Sequence, residues 1–123
     1  MTKEMNFLLK LEEAGMLLFS ILLFNQLHYA WWVYPAFILT PDLSMIGYLV
    51  NPRVGAFTYN LVHHKAVAVA VYGIGLWTNV PLMMLAGIIM FGHSSMDRMF
   101  GYGLKYPDSF SHTHLGKIGK DAA

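Results

Sequence analysis

His93 and Asp97 stand four residues apart near the end of an apolar run. On a helix that separation is about 40° of rotation, so both side chains leave from one face. An imidazole and a carboxylate presented together can ligate a divalent metal or pass a proton. Arg98 follows at once, a cation able to pair bidentately with a phosphate. Other residues able to do chemistry lie inside apolar runs: Glu12, Asp42, His63 and His64. The two adjacent histidines project about 100° apart, so one of them faces any shared site. Asn60 shares a face with both, three and four residues earlier.

The elements that must position these groups are four apolar blocks, at about 7–27, 30–50, 54–77 and 82–100. Each has roughly 20 residues, the length that crosses a hydrocarbon core of ~30 Å. The chain has 123 residues, enough for one domain, and is 56% hydrophobic but only 12% charged. A soluble domain carries roughly twice that charge. The expected fold is all-α: a four-transmembrane-helix bundle over 1–100 with a polar tail over 101–123. The first block follows Glu4 as well as Lys3 and precedes no small-residue cleavage site, so it reads as a retained membrane helix. The second opens with Trp31, Trp32 and Tyr34, an interfacial aromatic belt, and Pro41 predicts a kink beside Asp42. Asn51-Pro52-Arg53 and Thr78-Asn79-Val80-Pro81 are turns, with Pro81 suited to a first helical turn. Cysteine is absent, which excludes disulfide and thiolate chemistry.

With four spans, both termini and the middle turn share one side, and every Lys and Arg except Lys65 falls there. By the positive-inside rule both termini are cytoplasmic. At about 1.5 Å per residue, Glu12, Asp42, His63, His93 and Asp97 all lie roughly 5–14 Å from the cytoplasmic ends of their spans. Four spans running in alternating directions thus put their ionisable groups in the same half, which predicts one polar cluster. A charge at mid-membrane costs roughly 2.5–3.5 kcal/mol even on the milder scales, so such groups must compensate one another. A bound divalent metal does so, zinc first, and so does a metal-free proton-relay network. Simpler roles exist for single members. Glu12 and Glu13 can pair with Lys10 at the interface, Asp42 can cap a helix after the proline, and Arg98 and Lys65 can snorkel towards headgroups.

The runs Leu39–Tyr48 (LTPDLSMIGY), Pro52–His63 (PRVGAFTYNLVH), His93–Pro107 (HSSMDRMFGYGLKYP) and Thr113–Gly116 (THLG) resemble a family of small bacterial membrane proteins known only as a domain of unknown function. That resemblance covers nearly the whole chain and implies a bacterial inner-membrane location. Pro41-Asp42, His63-His64, and His93 with Asp97 followed by Gly103 and Pro107 also look like the motif order of membrane-bound proteins assigned as metal-dependent hydrolases. Those are thought to be remote relatives of the zinc-dependent phospholipase C and nuclease group. Carried over, Asp42, His63 or His64, His93 and Asp97 would be metal ligands. The polar cluster itself, apart from the resemblance, offers Arg98 and Glu12 as catalytic candidates. The sequence departs from that group after Pro41-Asp42, where Leu43, Ser44 and Met45 replace an acid and a histidine, and the number of metals stays open.

Three functions compete on these residues. The first is a metal-dependent hydrolase of phosphoester or lipid substrates at the cytoplasmic face. The second is a proton or small-ligand transport or binding protein, which with four spans requires a homo-oligomer. The third is an accessory subunit of a larger membrane complex in the bilayer. Nucleic acid is excluded as a partner, because the basic residues are sparse and follow topology.

Overall fold

The computed structural model describes residues 2–108 and 111–117. Five α-helices and one 3-10 helix account for most of it: α1 (Lys3–Asn25), α2 (Val33–Phe37), the 3-10 helix (Thr40–Leu49), α3 (Pro52–His63), α4 (Lys65–Thr78) and α5 (Pro81–Met99). Strands β1 (His112–Thr113) and β2 (Gly116–Lys117) form a small antiparallel hairpin within the polar tail. The first and fourth apolar blocks are continuous helices, as expected. The second and third are not.

The second block breaks because Pro35 and Pro41 cannot both be accommodated in one hydrogen-bonded helix. The expected kink is a change of helix type. α2 ends at Phe37, Thr40 Oγ1 donates to the Phe37 carbonyl at 2.7 Å, and the chain continues in 3-10 geometry with Pro41 in its first turn. The third block breaks at His64, whose backbone is extended (φ −89°, ψ 123°). The imidazole of His64 then caps α4, its Nδ1 accepting from the Ala66 amide at 3.2 Å. Among the described residues, no helix is long and apolar enough to cross a membrane. α1 has 23 residues but carries Lys10, Glu12 and Glu13 within its apolar run, while the strongly apolar α4 has only 14.

α5 is the centre, packed on α1 along one side and on α4 along another, while α3 packs on the 3-10 helix. The α4–α5 contact is close. A Cβ on Gly87 would meet the backbone of Ala68 and Tyr72 at 2.5–2.7 Å, so only glycine fits there. α4 ends on Asn79 in the left-handed region (φ 56°), a conformation Asn tolerates. Pro81 then opens α5 as the sequence predicts. The apolar core is Phe24, Val33, Tyr34, Leu85, Ile88 and Ile89, with Phe24 and Tyr34 edge-to-face at 5.4 Å. Ser20 of α1 and Tyr34 share a buried hydrogen bond of 2.6 Å beside Gly92. Far more large apolar side chains face outward than inward, including Trp31, Trp32, Leu43, Leu49 and Trp77.

Candidate metal centre

Both breaks in the apolar blocks build one site. The junction between α2 and the 3-10 helix leaves the Ile38 carbonyl outside any α-helical ladder, and His93 Nδ1–H donates to it at 2.6 Å. Four residues beyond Ile38, Asp42 sits in the first turn of the 3-10 helix and turns its carboxylate to the same place. At the other break, the carbonyl of His63 ends α3 and is taken by Ser94 Oγ at 2.7 Å and by Arg98 Nη2 at 3.3 Å. His63 Nδ1–H donates to the Tyr59 carbonyl at 2.8 Å.

A carbonyl oxygen only accepts, so these bonds fix the proton of each neutral imidazole on Nδ1 and leave a lone pair on Nε2. Both Nε2 atoms face carboxylate oxygens. His93 Nε2 lies 2.9 Å from Asp42 Oδ1 and 3.3 Å from Asp97 Oδ2, and His63 Nε2 lies 3.3 and 3.5 Å from the same two oxygens. One donor atom from each of Asp42, His63, His93 and Asp97 lies within 4.8 Å of the other three. A lone pair facing a carboxylate repels it unless a cation lies between them or the ring takes a second proton on Nε2. A tetrahedral ion with bonds of about 2.0–2.2 Å has donor–donor edges of roughly 3.3–3.6 Å, close to the four cross-distances. An N₂O₂ donor set suits zinc and neighbouring transition metals, and each histidine already has the backbone acceptor that commonly orients a metal-bound imidazole. The residues therefore fit a divalent ion.

The surroundings reinforce the set. His63 and His93 are 2% and 0% exposed, while the Asp42 side chain is 36% exposed and marks the way in. Tyr59 stacks on His63 at 3.7 Å with the rings nearly parallel, and its hydroxyl donates to Asp97 Oδ2 at 3.1 Å. Lys105 Nζ lies 4.8 Å from the Tyr59 ring centre. A stacked imidazole leaves no room on one face of that ring, so the ammonium occupies the other. Asn60 holds Lys105 there by its backbone, donating to the carbonyl at 2.7 Å and accepting from the amide at 2.6 Å. Burial pushes the Lys105 ammonium pKa down, against the pull of Asp97 and Asp42.

Four of the five expected ligands thus converge, and His63 is the histidine that faces the cluster. His64 is exposed and outside it, spent on capping α4. Glu12 is exposed on α1 and also outside it; among the described residues α1 contributes no ligand. Glu13 pairs with Lys65 across α1 and α4 rather than with Lys10. Arg98 touches the site only through the His63 carbonyl. Tyr59, Ser94 and Lys105 were not singled out by sequence for these contacts. Tyr59 stands one helical turn before His63, a spacing that signals a shared face; nothing in the sequence brings Lys105 back to α3.

The family described as a domain of unknown function, DUF4260, matches residues 6–118. The chain belongs to this family. The DUF4260 match takes in the helical body from Asn6 onward together with the tail hairpin, and assigns no activity to either. No curated protein and no solved structure matches the chain.

Proposed function

We propose that this chain is a membrane-embedded, metal-dependent hydrolase of phosphoester-bearing amphiphiles. The observation that carries the proposal is the convergence of Asp42, His63, His93 and Asp97, with each imidazole Nδ1 tied to a backbone carbonyl and each Nε2 turned inward. A divalent ion held there supplies Lewis acidity and a water of lowered pKa. The chain's own residues do the rest. Asp42, the exposed member, borders the opening through which a polar head enters. Tyr59 holds Asp97 in place through its hydroxyl, and Lys105 sets a positive charge beside the carboxylates. An apolar cavity of about 510 Å³ runs past Val33, Phe37, Pro41, Val62, Ile89 and Met90, next in sequence to Asp42 and His63. A cavity so lined suits the hydrocarbon part of an amphiphile.

The outward-facing apolar side chains support a bilayer as the surroundings, since a large exposed apolar surface needs a covering. In that setting α2 with the 3-10 helix, and α3 with α4, are interrupted crossings. Non-helical backbone at membrane depth is tolerated where protein buries it, and here Ser94, Arg98 and His93 satisfy the freed carbonyls. The distribution of Lys and Arg supports a reading with both termini on the cytoplasmic side of a bacterial inner membrane.

The test is hydrolysis by protein purified in a sugar-headed detergent and loaded with zinc, using a chromogenic aryl phosphodiester and a short-chain phospholipid. Turnover that disappears with chelator and in Asp42→Asn supports the reading. Metal-loaded protein with no turnover on either substrate removes the hydrolase and leaves the same cluster as a proton-relay or helix-fixing element.

A further inference from the structure

A second cleft lies where the end of α5 meets the start of α1. A cleft of about 630 Å³ opens between the start of α1, the end of α5 and the tail hairpin, lined by Lys3, Asn6, Lys10, Glu13, Arg98 and His114 among others. Its polar lining is rich in donors and poor in acceptors. Lys3 and Lys10 offer two ammonium groups with no carboxylate partner among the described residues. Arg98 is half-buried and spends a single N–H on the His63 carbonyl, so most of its five donors have no acceptor among the described residues. His114 Nδ1 accepts from the Leu104 amide at 2.8 Å, which places the ring hydrogen on Nε2 as a further donor. Burial and the neighbouring Arg98 both lower the His114 pKa, which keeps that ring neutral. The one acid, Glu13, is already paired with Lys65.

We propose that this cleft binds a phosphate oxyanion, with Arg98 as its fork and Lys3 and Lys10 as its flanking charges. A guanidinium with free N–H groups and two ammoniums match a tetrahedral anion carrying one to two charges, and a bidentate arginine contact selects phosphate geometry. The phosphate can belong to a lipid headgroup or be free in solution. The cleft shares no side chain with the four metal ligands and touches the metal centre only through the bond from Arg98 to His63, so it stands independently of the hydrolase reading.

Binding is measured on the full chain in sugar-headed detergent by titration calorimetry with three probes: inorganic phosphate, short-chain phosphatidylglycerol and short-chain phosphatidylcholine. The wild type is compared with Lys3→Gln/Lys10→Gln and with Arg98→Gln. Binding of phosphatidylglycerol that weakens at least tenfold in both variants, and falls with added salt, supports the site. Equal binding of inorganic phosphate assigns it to the free ion, and much weaker binding of that ion assigns it to the headgroup. The double variant changes only exposed side chains, and its metal content and helical circular dichroism should match the wild type, which separates failure here from failure at the metal centre. Absence of binding by every probe, or affinities unchanged in Lys3→Gln/Lys10→Gln, overturns the proposal.

Discussion

Tyr59 touches both halves of the cluster, stacking on one ligand and donating to another. Removal of its hydroxyl in Tyr59→Phe keeps the stacking and frees one oxygen of Asp97. Outer contacts of this kind are worth about 10–100-fold in metal affinity, so a chelator-competition assay should show Tyr59→Phe binding at least tenfold more weakly. The same assay should find His64→Ala and Glu12→Gln close to wild type, because neither side chain reaches the cluster; a loss comparable to His93→Ala would contradict the geometry. At this scale much of the site was legible. His93 and Asp97 share a face by helix geometry alone, and Asp42 is marked by the proline before it. The choice between His63 and His64 was not legible. It depends on where α3 ends, and no proline or glycine marks that position. Nothing local in the sequence marks Lys105 for the site, because its burial comes from a long-range clamp by Asn60.

Interruptions, more than helices, distinguish the elements. Had the second and third blocks run straight, the Ile38 and His63 carbonyls would be consumed within helices and could not receive His93, Ser94 and Arg98. Periodicity reports a continuous apolar segment whether or not the backbone breaks within it, so 30–50 and 54–77 read as whole spans. The two continuous helices, α1 and α5, carry the packing. Gly87→Ala drives a methyl into the backbone of α4 and should cost about 1–3 kcal/mol by thermal unfolding in detergent. Lys65→Ala strips the partner from the largely buried Glu13 and should cost about 3–5 kcal/mol. A fall of less than 1 kcal/mol in the second variant would mean that the pair is solvated and that α1 is held to α4 by other contacts.

The whole molecule has a small apolar core, a buried polar cluster and an apolar exterior. That inversion matches the apolar composition, although the described helices are too short or too charged to cross a membrane singly. The absence of cysteine makes the arrangement directly measurable. Single substitutions Arg53→Cys and Asn79→Cys, expressed in intact cells and exposed to a membrane-impermeant maleimide, should differ: Asn79→Cys labels from outside and Arg53→Cys only after lysis. Labelling of both before lysis, or of neither, would contradict the proposed crossing. The tail belongs to the same unit, since Asn60, Leu104 and His114 bind it back onto α3 and onto itself.

Asp42, His63, His93 and Asp97 are proposed to hold one divalent ion. Elemental analysis of chelator-free protein by mass spectrometry tests it most directly, beside His93→Ala and Asp42→Asn prepared in parallel. Close to one transition-metal ion per chain is expected, zinc foremost, falling to a small fraction in both variants while helical content persists. Wild-type protein that folds, withstands chelator and contains no ion at that ratio would contradict it, and would leave the four residues as an ion-pair network between imidazolium and carboxylate.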